Sequence, residues 1–86
     1  MFRKKKQQQN LTELAGVVTF FGSHHALRAE KVIKESGRPA ALIPGPREIS
    51  PNCGVALRFI FEDKEGVEAL LTEKKVHYEA LHYYPA

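Results

Sequence analysis

The sequence predicts one small α+β domain, a four-stranded antiparallel sheet carrying two helices on one face. Three observations predict it. Short runs rich in β-branched and aromatic residues alternate with two stretches of helical periodicity. These segments follow one another as β-α-β-β-α-β. At 86 residues the chain has room for a single domain with a thin core.

Met1 to about Asn10 is polar, charged and low in complexity. We expect a flexible basic and polar tail over 1–12, any helix there being confined to Leu11 through Ala15, and one folded domain over 13–86. Gly16-Val17-Val18-Thr19-Phe20-Phe21 has the length and composition of a strand buried on both faces. Gly22-Ser23 turns the chain, with Ser23 as the expected N-cap. From His24 to Glu35 the apolar positions Ala26, Leu27, Ala29, Val32 and Ile33 form one helical stripe. Arg28, Lys31, Lys34 and Glu35 fall on or near the opposite side. Gly37 is placed to end this helix and Pro39 to prevent its continuation.

Ala40-Ala41-Leu42-Ile43 reads as a second strand, ended by Pro44. Val55 to Phe61 reads as a third, with Val55, Leu57, Phe59 and Phe61 on one face and Ala56, Arg58 and Ile60 on the other. Asp63 is expected to cap a second helix running to about Lys74, with Val67, Leu70 and Leu71 turned inward. Gly66 in its first turn costs stability without preventing it. Val76 to Tyr83 supplies the fourth strand. This order is that of the ferredoxin-like, split βαβ arrangement. Two right-handed crossovers put both helices on one face. The other face is then left open to solvent, a ligand or a second copy, and a homodimer through it is an expected state.

The charge excludes as much as it suggests. The chain has 13 Lys and Arg against 10 Asp and Glu, a net +3. Arg3, Lys4, Lys5 and Lys6 supply four of the bases; without them 9 face 10 and the body is near neutral at −1. That argues against a nucleic-acid surface on the domain, and the tail has only Phe2 as a stacking platform. No apolar run reaches the roughly 18 residues of a membrane span. Gln7 to Asn10 follow the basic residues where a secretory signal has its apolar stretch. One cysteine makes no internal disulfide and fits a reducing compartment, so a cytoplasmic protein is expected. His24, His25, His77 and His82 show none of the common zinc spacings, and no metal or cofactor is expected.

The chemistry-bearing candidate is Cys53, in the loop from Pro44 to Gly54. That loop is about twice the usual hairpin connection of two to five residues, and its three prolines stiffen it. A thiolate is the sulfur nucleophile, and stabilising one takes a positive neighbour or backbone N–H groups aimed at the sulfur. Arg47 lies in the same loop, and Gly54 permits tight turning beside the sulfur. The competing reading makes Cys53 a small buried hydrophobe and the loop a structural arm.

Phe20-Phe21-Gly22-Ser23-His24-His25-Ala26-Leu27-Arg28-Ala29-Glu30, then Pro44-Gly45-Pro46-Arg47-Glu48-Ile49-Ser50, then Cys53-Gly54-Val55-Ala56-Leu57-Arg58-Phe59 resemble one known family. Its hallmark is Pro-Arg, a short polar spacer and Cys-Gly before a strand. The chain resembles the selenium/sulfur carrier protein-like family over about Gly16 to Tyr83. The resemblance implies a carrier and not an enzyme, one that holds a persulfide or selenosulfide on Cys53 between donor and acceptor proteins. It implies Arg47 as the anion-stabilising residue, and His24, Pro46, Gly54 and Arg58 as the binding surround. The alternative is a partner-binding or regulatory module acting through its open sheet face, possession of Cys53 then being incidental. Small-ligand binding at a dimer interface is a further analogy, from fold alone.

Overall fold

The computed structural model describes residues 14–85. The basic tail expected over 1–12 lies outside the described residues, and so does most of the short helix expected near Leu11; Leu14 and Ala15 are not helical. The elements are β1 (Gly16–Thr19), α1 (Ser23–Glu35), β2 (Ala40–Pro44), β3 (Val55–Phe59), α2 (Lys64–Glu73) and β4 (Ala80–Tyr83). The strands form one sheet in the order β2-β3-β1-β4, and every neighbouring pair is antiparallel. β3 is thus inserted between β1 and β2, the split βαβ topology expected from the element order.

The period-two alternation of the strands separates two apolar clusters. Val18, Leu57 and Phe59 share one face of the sheet and meet Ala26, Ala29 and Ile33 of α1 and Val67 and Leu71 of α2. Fully burying each of the larger side chains contributes about 1.5–3 kcal/mol. The far end of the Phe59 ring lies against Gly16, where any Cβ would collide with it, so this crossing of β1 and β3 depends on glycine. Both helices end in the same motif. Gly37 at φ 89° follows α1, with Gly37 N–H bonded to Lys34 O and Arg38 N–H to Ile33 O. Lys75 at φ 58° does the same after α2, with Val76 N–H reaching Leu71 O at 2.9 Å.

Several expected boundaries move. β1 stops at Thr19 and β3 at Phe59, and Phe61–Asp63 form a single 3₁₀ turn into α2. β4 is shorter than Val76–Tyr83, because Val76 is drawn into the helix-side core as the residue that closes the α2 terminus. The N-cap of α1 is Gly22 and not Ser23, which is the first helical residue. Asp63 occupies the N-cap of α2 without a side-chain cap bond; its carboxylate stands 4.0 Å from Arg38.

The second face of the sheet is not open. Val17 and Ala56 are fully buried there, packed with Cys53 and flanked by Ile43, Ile49 and Tyr84. The loop between β2 and β3 folds back over the sheet and, with the segment after β4, supplies this cover. The bare apolar surface on which docking or dimerisation through this face was expected is therefore taken up by the chain itself.

Candidate functional site

The loop 45–54 is ordered by its own backbone. Ile49 and Ser50 N–H groups both reach Pro46 O, at 3.2 and 3.0 Å, and Cys53 N–H reaches Ser50 O at 3.2 Å. These are two consecutive turns, and Pro51, second residue of the later one, suits it by fixing φ. Gly45 N–H bonds Gly54 O and extends the β2–β3 ladder by one step. Gly45 also lies directly against the Cys53 backbone, and a Cβ there would overlap the Cys53 carbonyl. Glycine at 45 is required by that close approach, whereas Gly54 has open space where its Cβ would stand.

Two side-chain interactions then fasten the loop to the sheet. Ser50 is buried, and its Oγ donates to Glu79 Oε1 at 2.6 Å. Bonds from Ser50 and from Thr19 hold the Glu79 carboxyl below its ordinary value, aided by His82 nearby. Thr19, fully buried at the end of β1, also lies 3.1 Å from His82 Nε2. The second fastening is the cysteine itself. Phe20 N–H donates to Cys53 Sγ at 3.3 Å, and Sγ–H donates to Val55 O at 3.0 Å.

Cys53 is 5% exposed, so its sulfur is not presented to solvent as expected. The physical reason is visible in those partners: the residue after β1 and the first residue of β3 offer a donor and an acceptor, and Val17 and Ala56 offer an apolar floor. A shallow depression of about 340 Å³ adjoins the site, lined by Cys53, Arg47, Asn52 and the glycines at 45 and 54. Arg47 is exposed at its edge. The structure therefore brings Cys53, Arg47 and Gly54 to one place, with Pro46 opening the turn that carries Arg47.

Arg58 and His24 do not line the Cys53 depression. Arg58 is 7% exposed on the covered face, and its Nη1 donates to both Leu14 O and Tyr84 O at 2.8 Å. It ties the segment before β1 to the segment after β4 and lies 5.5 Å from the Tyr84 ring centre. His24 stands in the first turn of α1 with its ring 3.9 Å from that of His25, whose ring is 5.4 Å from His77. Desolvation and the two neighbouring imidazoles push the His25 pKa down. Among the described residues no group of three or more His, Cys, Asp or Glu side chains is arranged to hold a metal.

Ser50, Thr19 and Glu79 were missed from the sequence. They are separated by 29 and 31 positions along the chain from Glu79 to Ser50 and from Ser50 to Thr19. Each reads as an ordinary loop or strand residue until the sheet order places β1 beside β4.

No helix among the described residues is long and apolar enough to cross a membrane. No solved structure matches the chain. A protein of Aquifex aeolicus (strain VF5) named "Putative sulfur carrier protein" is 37% identical over 78 residues, taking in 76% of this chain. The chain spans 40% of that relative, so the name describes a longer protein. The family described as "Putative Se/S carrier protein-like", a carrier and not an enzyme family by that description, matches residues 15–83, which hold every element and the Cys53 loop, and the chain belongs to it.

Proposed function

We propose that the protein carries sulfur or selenium as a persulfide or selenosulfide on Cys53, passing it between partner proteins. The observation that carries the reading is the placement of the chain's one cysteine on a separately latched loop, beside a depression rimmed by Arg47. Membership of the carrier-like family supports it. The transfer is redox-neutral. The Cys53 thiolate attacks the terminal sulfur of a donor persulfide, the donor's S–S bond breaks, and the donor leaves as a thiolate. A nucleophile on the acceptor then attacks the terminal sulfur on Cys53 and releases the Cys53 thiolate.

Local geometry suits the resting and the loaded carrier in different ways. With the loop closed, Sγ is screened from solvent reductants, and Val55 O accepts the S–H hydrogen bond that keeps the thiol protonated. With the loop lifted, the sulfur leaves that carbonyl and meets the Arg47 side, where a cation suits a sulfur anion. Phe20 N–H is a second donor for the sulfur when the loop recloses. Donor and acceptor proteins must therefore act on an opened loop.

The burial of Cys53 favours a second reading, in which the thiol is a packing group with Val17 and Ala56 and is incidental to what the protein does. Intact-mass measurement after incubation with a cysteine desulfurase and cysteine separates the two. The carrier gains the mass of a sulfur atom, reversed by thiol reductant and missing in Cys53→Ser. A protein that gains no sulfur while a known acceptor in the same mixture does is not a carrier.

A further inference from the structure

A second concavity adjoins the Cys53 depression, sharing Pro44, Gly45 and Arg47 with it. It is a groove of about 570 Å³, within the usual range of small-ligand sites. Ile43, Pro46 and Tyr84 give it apolar walls, and Arg47, Glu48 and Arg58 supply its charged groups. Arg58 is the unusual member. The residue is only 7% exposed, and no carboxylate among the described residues lies within ion-pair distance of its guanidinium. Its Nη1 is satisfied by two backbone carbonyls. Those carry only partial charge, and among the described residues Nε and Nη2 have no hydrogen-bond partner.

We propose that this groove binds a small organic anion, its carboxylate or like oxyanion held by Arg58 and Arg47 and its apolar body against Tyr84, Ile43 and Pro46. A buried cation with no counter-charge among the described residues is costly, and an anion arriving with two oxygens suits the planar, bidentate geometry that arginine favours. Buried away from water, that charge acts through a lower dielectric and is screened less by salt. The apolar walls exclude a bare, strongly hydrated ion and favour an anion with a planar or aliphatic body. Glu48, whose charge adds to desolvation in raising the Tyr84 pKa, opposes the ligand as a like charge. The groove shares Arg47 with the Cys53 depression, but holding an anion there needs no sulfur on Cys53.

The test is a backbone and arginine side-chain NMR titration of the full chain with three probes: benzoate, its neutral isostere benzamide, and inorganic phosphate. Saturable shifts at Ile43, Arg58 and Tyr84 with benzoate alone support the proposal. Because Arg58 also ties the fold together, the decisive variants are at the rim: Arg47→Gln weakens benzoate about two- to fivefold and Glu48→Gln tightens it by a similar factor. Benzamide binding as well as benzoate removes the charge requirement, and phosphate binding as well removes the apolar one. Either result overturns the proposal, as do an absence of saturable shifts and an affinity unchanged in both variants.

Discussion

Cys53 and Ser50 hold the same loop from two ends, one through sulfur and one through a hydroxyl, and they differ in what releases them. The Ser50–Glu79 bond depends on an ionised carboxylate. Its carboxyl is held below its ordinary value chiefly by the Ser50 and Thr19 hydrogen bonds, so the folded state binds protons less readily than the unfolded one. The contribution is therefore fully present above the ordinary glutamate value and is lost as pH falls through the lower, folded value. We predict that amide exchange protection in loop 45–54, corrected for intrinsic rates, drops over that acidic window and that Glu79→Gln removes the step. Ser50→Ala should speed native-state alkylation of Cys53 at constant pH while leaving the unfolding midpoint nearly unchanged; an unaltered rate would show that Ser50 is no part of the latch. Gly45→Ala acts on the same loop by overlap with the Cys53 carbonyl, and should likewise raise thiol reactivity.

At the scale of elements, the helix ends give the clearest expectations. Lys75 adopts the left-handed conformation that Gly37 adopts after the other helix, at a cost of about 1 kcal/mol for a residue with a Cβ. Lys75→Gly should raise stability by about 0.5–1 kcal/mol in denaturant melts, and Gly37→Ala should lower it by about 1 kcal/mol. Equal and opposite effects would confirm that backbone strain and not side-chain contact decides both sites. The helix stripes and the in–out alternation of β3 were legible because each follows from a local period: Leu57 and Phe59 face the helices, Ala56 and Arg58 do not, and only Leu27, expected in the α1 stripe, is instead 55% exposed at its margin. Strand ends were not legible, because Phe20, Phe61 and Val76 keep strand-like composition while packing from non-strand backbone. The cap at Ser23 was misplaced by one residue: Gly22, in ordinary extended backbone at φ −152°, is the cap, and Ser23 is the first helical residue.

For the molecule as a whole, the loop is what turns a one-sided sheet into a two-sided core. Its length and prolines marked it as special, yet nothing in its local sequence said that it folds back onto Val17 and Ala56. That depends on contacts between residues about 30 or more positions apart, such as Phe20 with Cys53. The same fold-back makes Arg58 a fastener of the two chain ends. Arg58→Met should cost about 2–3 kcal/mol of stability, because it strands the Leu14 and Tyr84 carbonyls in a buried setting. A loss below 0.5 kcal/mol, roughly the scale of a neutral surface change, would mean that water replaces the guanidinium there.

A carrier whose sulfur is buried must open without unfolding, and the denaturant dependence of Cys53 alkylation in the native protein tests this most directly. If the loop lifts as a local unit, the rate at low denaturant is nearly independent of denaturant and exceeds by orders of magnitude the rate that global unfolding allows. If the rate instead follows global unfolding over the whole range, with the full dependence on surface exposed, Cys53 is a core residue and the carrier account is contradicted.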